Sequence, residues 1–160
     1  MDFYPIPQPG EVNERERQDA MGAYLMMFAS TALGLPLPVL NLIASIIYYF
    51  VNKSKGRFVQ FHSLQSLYSQ LPVSLLNSYL VIWAIVNVVN ENPFTNIFWG
   101  LLFTAGIFNV LYFAFSIVGA VKAYRGQFYY FLFFGKLSFI QAYRVNGKSE
   151  EVIVNTPPKM

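Results

Sequence analysis

Apolar residues fill this chain in long blocks rather than at the intervals of a surface helix. No Asp, Glu, Lys or Arg occurs from Ala20 to Asn52, from Phe58 to Asn90 or from Asn92 to Val121. Each block exceeds the ~20 residues that carry a helix across a hydrocarbon core roughly 30 Å thick. A helix satisfies its own backbone in lipid, so the pattern predicts an all-α, polytopic integral membrane protein.

The first block is broken by Gly34-Leu35-Pro36-Leu37-Pro38. An interior proline costs ~3 kcal/mol, and an unbroken helix of this length would reach about 50 Å, well past the bilayer core. Two geometries fit. One is a hairpin of short segments turning at Pro36 and Pro38, the other a single kinked span. The hairpin is favoured, which gives four short transmembrane segments at 18–33, 37–52, 60–89 and 95–121. Residues 127–144 are split by Gly135-Lys136 into halves too short to span, and their aromatic rings suit a membrane interface. The expected organisation is a flexible Pro-rich and charged tail at 1–17, one membrane domain at 18–144 and a flexible tail at 145–160.

Charge adds direction. Only 12% of residues are charged, about half the share usual in soluble domains at ~25%. Lys53, Lys55 and Arg57 follow the aromatic run Tyr48-Tyr49-Phe50, and Lys122 and Arg125, with Gly126 at the turn, follow the third block. Both groups read as cytoplasmic topology signals, whereas Asn90-Glu91-Asn92-Pro93 carries no cation and belongs on the opposite side. The carboxyl terminus is therefore expected in the cytoplasm. The amino terminus lies there too in the hairpin geometry and outside in the kinked one. A net charge of +3 spread beside apolar blocks does not form a nucleic-acid stripe, so no nucleic-acid partner is expected. With no cysteine, disulfide and thiol chemistry drop out.

The candidate site lies where the second block opens. At helical spacing His62, Gln65, Ser66 and Ser69 share a face, and Asn77 continues it. Such stripes face a bundle interior, because lipid offers no hydrogen bonds. Either the stripe glues helices together, or it lines a polar groove for a client segment, a proton or a solute. Asn109 opens a second stripe through Tyr112, Ser116, Gly119, Ala120 and Ala123, whose small residues suit close helix packing, as do Gly100 and Thr104. One histidine and a lone acid between Lys53 and Lys122 supply no catalytic set, metal ligands or cofactor motif.

Two segments, FVQFHSLQSL at 58–67 and VGAVKAYRGQFYYFLFFGKL at 118–137, carry a family resemblance. They resemble a small bacterial polytopic membrane domain similar to the four-helix chloroplast inner-envelope protein-import (Tic) translocon subunit family. The resemblance rests on Phe58, Phe61, His62 and Gln65 and on Ala123, Tyr124, Arg125 and Gly126. It implies a four-segment membrane protein linked to protein translocation, and nothing about catalysis. The Pro-rich, acidic start departs from a plastid targeting peptide and favours a bacterial inner membrane. The expected function is a non-enzymatic accessory or scaffold subunit, with the bilayer, other membrane subunits or further copies of itself as partners. The alternative is a small oligomeric channel or permease with a polar path through His62 and Gln65.

Overall fold

The computed structural model describes residues 3–32 and 38–145. Six α-helices make up their regular structure: α1 (Glu14–Leu25), α2 (Ala29–Ala32), α3 (Pro38–Asn52), α4 (Arg57–Val89), α5 (Asn96–Tyr124) and α6 (Leu132–Tyr143), with a 3-10 turn at Met26–Phe28. The all-α expectation holds among these residues.

Asn13 starts α1 by accepting the Glu16 N–H at 2.8 Å, and Glu14 and Glu16 in the first turn suit the positive end of the helix. The Gly-Pro break, including Pro36, lies outside the described residues. Pro38 opens α3, where its missing N–H breaks no helical bond. α1 and α3 run antiparallel: the Tyr48 hydroxyl donates to the Asp19 carbonyl at 2.8 Å, Lys55 pairs with Asp19 at 3.0 Å, and Met27 and Pro38 border one groove at the other end. This is the arrangement of the hairpin rather than of the kinked span. Gly22 permits it, since a Cβ there would fall 2.3 Å from the Tyr48 hydroxyl oxygen.

α4 and α5 are long and apolar enough to cross a membrane, and α3, though apolar, has 15 residues. At 1.5 Å per residue α4 reaches about 50 Å and α5 about 43 Å. They are not the core helices of a soluble protein, because only 17% of the most apolar window of each is buried. A transmembrane count of four goes beyond these observations. α4 is the hub. Its first turns, from Phe58 to Gln65, are enclosed by α1, α5 and α6, while α3 packs alongside. Farther along, it packs on α5 through Leu80, Phe98 and Ala105 with Trp83 and Leu101 around them.

Residues 127–144, expected as an interfacial segment, form a fold-back. The chain turns at Gly126 (φ +72°) and runs back along α5 until the Phe131 ring lies 4.6 Å from that of Phe115. Phe115 is seven residues before Lys122, so the fold-back descends about 10 Å below that lysine. α6 then climbs back to Tyr143, beside Tyr4 and Arg57. The amino-terminal stretch expected to be a flexible tail is held in place from Phe3 onward. Phe3 bridges to Arg144, Tyr4 N–H donates to the Tyr143 carbonyl at 2.9 Å, and Arg57 lies 3.3 Å over the Tyr4 ring. Arg17 satisfies the carbonyls of Val12 and Pro9, both at 2.8 Å, which fixes the proline-rich turn against α1. The carboxyl-terminal tail lies outside the described residues beyond Val145.

Candidate functional site

The opening of α4 holds a buried polar knot whose hydrogen-bond directions follow from one backbone group. The Phe131 N–H, which can only donate, reaches Gln65 Oε1 at 3.1 Å. That orients the amide, so Gln65 Nε2 donates to the Tyr24 hydroxyl oxygen at 2.7 Å. The hydroxyl proton then serves His62 Nδ1 at 2.9 Å, which puts the imidazole proton on Nε2, next to the Gln127 backbone. Nε2 has no partner of good hydrogen-bonding geometry. The knot ties together α1, α4 and the descending arm of the fold-back.

Aromatic rings close it. Phe58 and Phe61 lie 4.5 and 4.9 Å from the imidazole, and Phe128 caps it at 6.0 Å. Tyr24, His62 and Gln65 are all buried. Ser66 donates to the Ala23 carbonyl at 2.8 Å and Ser69 to the Ser66 carbonyl at 3.0 Å, so these serines satisfy helix backbone. The gap bounded by Tyr24, Gln65, Ser69 and Phe131 has no room for a water molecule.

Asn77 and Asn109 stand apart from this knot. Their carboxamides exchange two hydrogen bonds, each 2.9 Å, between α4 and α5, and Asn109 also donates to the Ala105 carbonyl at 2.7 Å. They border a groove of about 350 Å³ between α3, α4 and α5, also lined by Gln70 and Ser74 of α4 and by Asn41 of α3. Ser45 donates to Gln70 at one side of it. Thus the predicted stripe divides into a closed knot at His62, Gln65, Ser66 and Ser69 and an open groove at Asn77 and Asn109.

The topology residues share one pole. Lys53 lies 4.8 Å from the Phe50 ring centroid, Lys55 pairs with Asp19, and Lys122 donates to Gln127 Oε1 at 3.0 Å. Arg125 closes α5 with its backbone N–H, and Gly126 supplies the positive φ of the turn. Its hydrogen faces the Pro9 carbonyl, where a Cβ would come within 2.8 Å. Among the described residues, no three or more His, Asp and Glu side chains are grouped to hold a metal.

Tyr24 was not singled out from the sequence, although the signal was there. It follows Gly22-Ala23, and its ring lies over Gly119, where a Cβ would meet it at 2.7 Å. The small residues Gly119, Ala120 and Ala123 therefore receive α1. Gly100 has open space around it among the described residues, and Thr104 bonds back to the Gly100 carbonyl.

Fold and site together define a helical membrane-protein class, with two spanning-length helices and a buried, hydrogen-bonded polar knot. Residues 15–139 match the magnetosome magnetite crystal formation protein family (MamF/MmsF), and the chain belongs to that family. The match overturns the resemblance to the Tic translocon family, and with it the expectation of protein translocation. No curated protein and no solved structure matches the chain.

Proposed function

We propose that the chain serves magnetite crystal formation as a non-enzymatic integral subunit of the magnetosome membrane, one that organises other membrane subunits or further copies of itself. The family supplies the process. The observation that carries the scaffold role is the division of the molecule into an internally bonded pole and a bare apolar hairpin. At the pole, polar side chains bond to one another and to backbone. On the hairpin, Ile82, Val89, Ile97 and Phe103 are each at least 62% exposed. Such a surface meets lipid or another membrane helix. A permease path through His62 gains no support, since the imidazole is buried and ringed by Phe58, Phe61 and Phe128.

In this reading four segments lie in the bilayer, the first two as the short hairpin of α1–α2 and α3. The cationic pole, with both termini, faces the cytoplasm under the positive-inside rule. The Asn90–Asn92 turn faces the opposite compartment.

The test is deletion of the protein in a magnetite-forming bacterium, with crystal size measured by electron microscopy and copurifying proteins identified after mild detergent extraction. Altered crystals and reproducible capture of magnetosome membrane proteins, or of a tagged second copy, are expected. Unchanged crystals together with purification as a lone protomer would refute the proposal.

A further inference from the structure

The descending arm and α6 leave one outward face that nothing else among the described residues covers. Gly135 sets its rotation: a Cβ there would lie 2.7 Å from Tyr130 Cα and 2.8 Å from Gln65 Oε1, so this side of α6 must press inward. Phe133, Lys136 and Leu137, at i, i+3 and i+4, consequently point outward, and all three are exposed. Phe133 stands between two apolar grooves. One, of about 510 Å³, runs between α4 and α5, with Val73, Phe108 and Phe115 among its walls. The other, of about 580 Å³, lies toward Tyr68, Leu71 and Leu137. Both volumes fall within the ~300–1,000 Å³ typical of small-molecule sites. The grooves share Pro72, Phe133 and Phe134, so they lie side by side at the start of α6.

Lys136 sits one turn above Phe133, toward the cationic pole. No acidic residue occurs between Glu91 and Glu150. Among the described residues the ion pair is Lys55–Asp19, and Lys136 has no carboxylate partner. Two apolar grooves below one cation that has no carboxylate partner among the described residues, at the end of the molecule where headgroups would lie, match a ligand with two hydrocarbon chains and a negative head.

We propose that this face binds an anionic two-chain phospholipid, its acyl chains in the grooves on either side of Phe133 and its phosphate on Lys136. The proposal rests on the membrane reading above, and the experiment separates the two. Full-length protein, extracted in mild detergent and offered equal amounts of phosphatidylglycerol and phosphatidylcholine, is analysed by native mass spectrometry. The wild type should retain phosphatidylglycerol about fivefold over phosphatidylcholine, the equivalent of the ~1 kcal/mol that a lysine contributes near an anionic lipid surface. K136Q should retain the two lipids equally, and K136R should restore the preference. F133S should lose much of both lipids, because the shared groove wall is gone. These positions are exposed, and unchanged circular dichroism will confirm that each variant folds. Equal retention by the wild type, a preference that survives in K136Q, or unaltered retention in F133S would overturn the lipid site. Wild type in the soluble fraction after lysis would instead sink the membrane reading itself.

Discussion

Gln65→Leu tests the knot most directly, because Gln65 alone bonds both the fold-back and α1. The leucine is close in size but takes away the acceptor of the Phe131 N–H and the donor to the Tyr24 hydroxyl. A buried donor left unpaired costs ~1–3 kcal/mol, and the lost Gln65–Tyr24 bond a net ~0.5–1.5 kcal/mol. Side-chain hydrogen bonds inside membrane proteins average only ~0.6 kcal/mol, which pulls the total toward the lower end, about 2 kcal/mol. The effect should be local. Leu132, next to the lost bond, is held at φ +44°, a left-handed conformation that strains a non-glycine residue by ~1–2 kcal/mol. Without the tether it is free to relax. Hydrogen exchange in detergent should therefore accelerate across residues 127–135 by about 30-fold, the factor that 2 kcal/mol represents. Tyr24→Phe is the control. It leaves Gln65 and His62 short of a partner but keeps the Phe131 bond, so the knot weakens while the fold-back stays protected. If Q65L exchanges like the wild type at 127–135, or Y24F loosens that stretch as much as Q65L does, the assigned bond directions are wrong.

Gly119→Ala places a methyl 2.7 Å from the buried Tyr24 ring, and overpacking of this kind should lower stability by ~1–3 kcal/mol, read as a drop in Tm in detergent; an unchanged Tm would show that α1 does not seat there. Gly126→Ala combines a +72° φ with a contact to the Pro9 carbonyl, so the amino-terminal stretch should detach and trypsin should cut faster at Arg15 and Arg17. Cleavage at the wild-type rate would argue against that docking. Single cysteines at Ser54 and Asn92 should be labelled by a membrane-impermeant maleimide from opposite sides of sealed vesicles, and labelling from the same side would refute the proposed topology.

The long helices were legible because absent charge is a strong signal: nothing ionised interrupts 58–90 or 92–121, and α4 and α5 occupy those blocks. The fold-back was not. Its aromatic composition suits a surface segment as well as a descending arm, and the deciding bond, from the Phe131 backbone to Gln65, joins residues 66 apart. The amino-terminal stretch was misjudged because its prolines suggest a free chain. What holds it is Arg17 on the carbonyls of Pro9 and Val12 and, from far along the chain, Arg57 over the Tyr4 ring. The spacing from His62 to Ser69 puts four polar groups on one face, and all four are buried. It could not distinguish a sealed knot from a path, since that depends on Tyr24 in another helix and on rings such as Phe128 that fill the remaining space. The family, too, was misjudged from short motifs, which record how helices pack more than what the protein serves.

The uneven packing along α4 gives the described molecule a taper. Around Phe58 to Ser69 the central pair is flanked by α1, α3, α6 and the amino-terminal stretch, whereas past Leu80 only α4 and α5 remain side by side. In the membrane orientation proposed above, such a body displaces unequal areas of lipid in the two leaflets. Crowded together in a membrane, such wedges favour bending with the broad, cationic side outermost, so that the sheet is convex toward that pole and its enclosed face meets the Asn90–Asn92 tip.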